Sequence, residues 1–183
     1  MLKLIASDID GTLLQNGEKE LSGQAVNQVK QLKEMGILFA AASGRQYATL
    51  RRLFEPVKDD IAYICENGAM VMYNGKILHK DVFDRVLAEE MMHSILNRED
   101  MEIIVSGEKS YYIQPKRKSF AEYMLQSVKG NVTVVDNILE VQEDILKISM
   151  YRESGLEETL PWRQSNSGDF RSCMVGYDAN ECG

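Results

Sequence analysis

Apolar runs and amphipathic stretches alternate along the first third of the chain. Leu2–Ser7 (LKLIAS) is a short apolar run that stops at acidic and glycine residues, the pattern of a buried strand feeding a loop. Ser22 can cap a helix whose apolar positions Val26, Val29 and Leu32 recur at helical spacing, and Gly36 stops it. Ile37–Ala42 reads as a second buried strand ending in Ser43-Gly44-Arg45. Tyr47, Leu50, Leu53 and Phe54 then mark a helix closed before Pro56. Ile61–Cys65 is a third strand, followed by Glu66-Asn67-Gly68. Strand, helix, strand, helix, strand predicts an α/β fold with a parallel sheet covered on both faces.

Beyond Gly68 the pattern changes. Ala69–Tyr73 and Lys76–His79 flank Asn74-Gly75, a hairpin signal. A helical pattern over Val82 to about Asn97 sets Val86, Leu87, Met91 and Ile95 on one side. Met101–Val105 and Tyr111–Gln114 form a second expected hairpin around Gly107. Phe120–Val128 reads as a helix, and Val132–Val135 and Ile145–Tyr151 as strands. This part is α+β, so a domain boundary is expected near Asp81.

Composition narrows the function classes. The 183 residues are 44% hydrophobic and 27% charged, an ordinary soluble balance. A net charge of -7 leaves no basic stripe for a nucleic-acid backbone. An anionic substrate would therefore have to be drawn by a local site. The three cysteines (Cys65, Cys173, Cys182) lack metal-ligand spacing. Asp8 and Asp10 interrupt the apolar start, so it does not read as a signal peptide, and no run can span a bilayer. A cytoplasmic protein is the default expectation.

The candidate chemistry lies at the strand ends. Asp8-Ile9-Asp10-Gly11-Thr12-Leu13 follows the first strand, and strand alternation sends Asp8 and Asp10 to the same side. Ligands of open α/β sheets bind at the carboxyl ends of the strands, where this loop sits. Gly11 permits a sharp turn and close approach of main-chain N–H groups to an anion. Ser43-Gly44-Arg45 adds a hydroxyl, N–H groups and the start of a helix, where phosphate could bind. Two carboxylates about 4 Å apart repel by about 4 kcal/mol at an effective dielectric near 20. A hard divalent cation offsets that repulsion, and oxygen ligands with a phosphate select magnesium.

These motifs resemble a known superfamily. Asp8-Ile9-Asp10-Gly11-Thr12 is similar to the first motif of the haloacid dehalogenase (HAD) superfamily, and Ser43-Gly44-Arg45 to its second. Glu66-Asn67-Gly68-Ala69, followed by a hairpin and an α+β insertion, resembles the Cof-type phosphatase branch with its type IIB cap. The similarity covers Met1 to roughly Pro161. It implies a Rossmann-like core, of which the N-terminal part is present (1–81), an α+β cap expected to be incomplete (82–161), and magnesium-dependent hydrolysis of small phosphorylated metabolites such as sugar phosphates. By this resemblance Asp8 attacks phosphorus, and Asp10 protonates the leaving alcohol and then activates water. The Asp8 side chain and the Asp10 carbonyl hold Mg2+. Gly11, Thr12, Ser43, Gly44, Arg45 and Asn67 bind phosphate or face the substrate.

The resemblance also implies a lysine motif and a late acidic motif, and neither can be read in the chain. Lys147 is a tempting substitute inside a cap-like strand, and Tyr177–Glu181 a tempting late motif without its Gly-Asp start. Reading back-translated Cys173–Gly183 one base later permits Ala-Trp-Leu-Asp-Met-Met-x-Thr-Asn-Ala-Gly, similar to the return from a Cof-type cap. Residues 162–183 are accordingly expected to be an aberrant tail from a slipped reading frame, which sequencing the encoding DNA would test. A truncated chain would be a weak or inactive catalyst and would leave an apolar core surface open to self-association. Two other readings stay open: a non-catalytic binding or structural remnant, and a phospho-accepting receiver-like domain. The long insertion after Gly68 and the Gly11-Thr12 pair count against the receiver. His79, His93 and the basic turn Lys116-Arg117-Lys118 are expected to be ordinary solvated residues.

Overall fold

Each half of the chain builds its own five-stranded sheet, in a computed structural model that describes residues 2–15, 17–128, 130–153 and the strand 175–178. The chain divides into two units, Met1–Asp81 and Val82–Gly183.

In the first unit, β1 (Leu4–Asp8), β2 (Leu38–Ala42) and β3 (Ala62–Cys65) run parallel. The antiparallel hairpin β4 (Met70–Tyr73) and β5 (Lys76–Lys80) extends the same sheet, in the order β1-β2-β3-β4-β5. Its turn places Asn74 and Gly75 at φ 49° and 71°, the left-handed backbone that a tight hairpin needs. The first connection is the helix α1 (Gly23–Glu34), where the Ser22 hydroxyl accepts the Ala25 N–H at 3.1 Å and Gly36 leaves at φ 71°. The second is α2 (Tyr47–Leu53), a helix of seven residues. Phe39, Phe54 and Tyr63 pack ring against ring beneath it, with centroids 5.9 and 6.5 Å apart. The buried Tyr63 hydroxyl donates to the Lys58 carbonyl at 2.7 Å.

The expected cover on both faces fails at β1. Leu4 is 51% exposed, and Leu2, Ala6 and Asp8 are also exposed, whereas Phe39, Ala40 and Ala41 of β2 are buried. The reason is position. Among the described residues β1 pairs only with β2, so it forms a sheet edge despite its apolar composition.

The second unit orders its strands β10-β9-β6-β7-β8. Here β6 is Glu102–Ser106, β7 Tyr111–Ile113, β8 Val132–Val134, β9 Lys147–Arg152 and β10 Val175–Asp178. Alternation along β6 sends Ile103 and Val105 to a cluster with Met91, Met92 and Ile95 of α3 (Arg85–Leu96). Ile104 joins Phe120 and Met124 of α4 (Lys118–Ser127) in a second cluster. Val86 is exposed, contrary to the stripe read from the sequence. The buried stripe of α3 is Ala88, Met91, Met92 and Ile95, because the Asp84 cap starts the helix with Val86 turned outward.

Lys116-Arg117-Lys118 also departs from expectation. The Lys116 ammonium donates to the carbonyls of Arg98 at 2.5 Å and Met101 at 2.9 Å, beside the end of α3. Its main-chain N–H and the Arg117 guanidinium both reach the buried carboxylate of Glu102, at 2.8 and 3.4 Å. Two of these three basic residues therefore compensate buried acceptors, and burial lowers the Lys116 pKa. His79 and His93 are exposed, as expected.

Candidate active site

The parallel register brings three loops to one rim. Asp8 stands opposite Ala42, and Ala42 opposite Ile64, so β1, β2 and β3 finish level. After β1 the chain turns at once. The carbonyl of the fully buried Ile9 accepts the N–H groups of Thr12, Leu13 and Leu14 at 3.3, 2.9 and 2.8 Å. Gly11 holds φ 81° and donates its N–H to Leu14 at 2.8 Å. Such a φ strains any residue with a Cβ. The Gly11 and Thr12 N–H groups are thus engaged inside the turn rather than offered to an anion, which differs from the sequence expectation.

The loops after β2 and β3 are fastened to each other. The Ser43 N–H donates to Ile64 at 2.9 Å, and the Ser43 carbonyl accepts from the Asn67 N–H at 3.2 Å. The Arg45 carbonyl accepts from the Glu66 N–H, also at 3.2 Å. Reaching both acceptors requires Glu66, Asn67 and Gly68 at φ 51°, 58° and 99° in succession. Two non-glycine residues in this region store backbone strain, and the two hydrogen bonds hold it in place. A Cβ on Gly44 would stand 2.5 Å from Asn67 Oδ1, so the two loops meet at a position that only glycine fits without displacing Asn67.

The loops after β1 and β2 are joined by charge. Arg45 Nε and Nη2 donate to Asp10 Oδ2 and Oδ1 at 3.1 and 2.6 Å, a bidentate pair between residues 35 apart in sequence. The side chains are 31% and 55% exposed, so the pair faces solvent. Ser43 is buried, and its hydroxyl accepts the Arg45 N–H at 3.3 Å. The Asp8 carboxylate is exposed, and among the described residues nothing donates to it. Burial pushes the neighbouring Cys65 thiol up to about 12, with the Glu66 carboxylate adding to the effect. The short α2 begins two residues beyond Arg45, so its end charge adds little to the site.

Asp8, Asp10, Gly11, Thr12, Ser43, Gly44, Arg45 and Asn67 therefore all stand on the three linked loops of the first unit. Lys147 does not: it is a buried residue of β9 in the second unit, its ammonium 5.9 Å from the Tyr111 ring centre. The stretch 175–178 is strand β10, beside β9 in that sheet, while 179–181 and most of the expected tail lie outside the described residues. Sequence reasoning missed the Arg45–Asp10 pair and the seating of Glu66 on Arg45. Their only local sign was the Gly68 that follows two polar residues.

Comparison with known proteins decides the family. The profile of the haloacid dehalogenase-like hydrolases matches residues 5–169. The chain belongs to that family. Among curated HAD relatives, 5-amino-6-(5-phospho-D-ribitylamino)uracil phosphatase YbjI of Escherichia coli (strain K12) is 31% identical over 153 residues, covering 81% of this chain and 55% of YbjI. Phosphatase YwpJ of Bacillus subtilis (strain 168) is 25% identical over 146 residues, covering 77% and 51%. The chain thus spans about half the length of the curated HAD relatives it matches. A haloacid dehalogenase-like hydrolase from B. subtilis superimposes with a TM-score of 0.75 at 19% identity, covering 92% of this chain and 68% of the other. The α/β fold is therefore that of HAD hydrolases of the Cof type, and both of these curated relatives are named phosphatases. Among the described residues no helix is long and apolar enough to cross a membrane.

Proposed function

We propose that this chain carries the nucleophile half of a phosphomonoester hydrolase that works through an aspartyl-phosphate on small phosphorylated metabolites. The observation that supports it most is the exposed Asp8 carboxylate, set on one rim with Asp10, Ser43, Arg45 and Asn67. An Asp8 oxygen attacks phosphorus as the bond to the substrate's alcohol oxygen breaks, and Asp10 delivers a proton to that oxygen. Asp10 then takes a proton from water as the water oxygen attacks phosphorus, releasing inorganic phosphate and restoring Asp8. Ser43 donates a hydrogen bond from its hydroxyl to a phosphoryl oxygen, and Asn67 and Arg45 face the substrate.

The donor chemistry of this rim fits Mg2+, since Asp8 offers a hard, unengaged oxygen. The Asp8 carboxylate and the Asp10 carbonyl would hold the ion. When bound, it would neutralise charge on the transferring phosphoryl group. The set is short, because the described residues contain no group of three His, Cys, Asp or Glu side chains that could hold a metal.

Turnover by these 183 residues alone is proposed to be low. No lysine motif or late acidic motif is legible in the chain, and one missing charge-stabilising group typically costs about 10²–10³ in rate. The same missing motifs keep a second reading open, a module that binds phosphate without hydrolysing it. Phosphate release with Mg2+ from a panel of sugar phosphates separates the two. Because two relatives are named 5-amino-6-(5-phospho-D-ribitylamino)uracil phosphatases, that compound belongs in the panel. Slow, Mg2+-dependent release supports the hydrolase, and phosphate binding with no release supports the module. The exposed β1 edge adds a proposal about partners: copies of the chain associate through it.

A further inference from the structure

We propose that Arg45 is a ligand-exchanged latch on Asp10. Its guanidinium holds the acid until a phosphoryl group arrives and then transfers to that group, releasing Asp10 to the leaving-group oxygen. This positioning role for Arg45 rests on the hydrolase reading and adds an ordered exchange to it.

Three observations carry it. Both Asp10 oxygens accept from Arg45, at 2.6 and 3.1 Å. The fork takes one acceptor site on each Asp10 oxygen and so fixes the orientation of the carboxylate, and any turn of Asp10 towards a leaving group opens it. Secondly, the Arg45 main chain is pinned from both sides, its N–H to Ser43 Oγ at 3.3 Å and its carbonyl to the Glu66 N–H at 3.2 Å. The motion that opens the pair is therefore one of the side chain, not of the loop. Thirdly, the pair is open to solvent, with 31% and 55% of its side chains exposed, so a ligand can reach it and it is weakly held. A phosphoryl dianion offers the guanidinium the same bidentate geometry with a greater charge than a carboxylate, so the exchange runs towards the ligand.

The test is a double-mutant cycle on the full chain with Mg2+, measuring inorganic phosphate binding by calorimetry. The variants are Asp10→Asn, Arg45→Ala and the two together, with Arg45→Lys as a variant that keeps charge but loses the fork. If the latch exists, Asp10→Asn tightens phosphate binding about 3- to 10-fold by freeing Arg45. Arg45→Ala weakens it about 10-fold or more, and Arg45→Lys falls between. In the Arg45→Ala background, Asp10→Asn then has less than half of its effect. Equal tightening in both backgrounds means simple removal of a negative charge and overturns the latch, as does no tightening at all. Absence of phosphate binding by the unaltered chain overturns the hydrolase reading itself, so the two failures are told apart. In nitrogen-15 spectra the Arg45 Nε–Hε signal should move on phosphate addition, and a signal fixed at its Asp10-bound position in the saturated chain contradicts the exchange.

Discussion

Gly44 and Asn67 meet so closely that a Cβ on the glycine would stand 2.5 Å from the asparagine Oδ1. The atom in the way is the end of an exposed side chain, so it can move at small cost. Gly44→Ala should therefore leave unfolding free energy within about 1 kcal/mol of the unaltered chain. It should still weaken phosphate binding, by about 10-fold, because Asn67 is turned away from the rim. Paired chemical denaturation and calorimetry check this, and unchanged affinity would remove Asn67 from the site.

Cys65 gives a pH dependence whose sign follows from burial. Its thiol is raised from 9.0 to about 12 in the folded chain. Below pH 9 both states hold the proton and stability is unaffected. Between pH 9 and 12 the unfolded thiol ionises while the folded one does not. Stability then falls with rising pH by up to about 1.4 kcal/mol per unit. The buried Tyr63 is raised by burial too and acts in the same direction at higher pH. Urea titrations at pH 8, 9 and 10 should show this loss, and Cys65→Ala should flatten it.

The β1 edge yields a test of association. Leu4→Lys puts a charge on a strand whose outer side is unpaired among the described residues. It should weaken self-association by 10-fold or more while changing stability by about 0.5 kcal/mol or less. Sedimentation equilibrium distinguishes the outcomes, and a wild-type chain that stays monomeric across the concentration range contradicts the proposal.

What could be read from the sequence was local. Ser22 and Gly36 bracket α1 because caps act on the residues beside them. The Asn74-Gly75 turn was visible for the same reason. The rim was legible because strand ends carry their loops: Asp8 closes β1, and Ser43 and Asn67 follow β2 and β3 closely. Non-local facts were not. Leu4 has the composition of a core strand, and its exposure depends on which strands flank it. The Arg45–Asp10 pair spans 35 residues, and Lys116 reaches carbonyls 15 and 18 residues away. No periodicity encodes such contacts. Val86 failed differently: Met91 and Ile95 of the same expected stripe are buried, and only its first member falls outside the buried face.

The central claim is that Asp8 is the phosphoryl acceptor. Fluorine NMR with beryllium fluoride and Mg2+ tests it most directly, since that reagent mimics a phosphoryl group on a carboxylate. The account predicts bound resonances that require Mg2+ and vanish in Asp8→Asn. Bound resonances that persist unchanged in Asp8→Asn would contradict it.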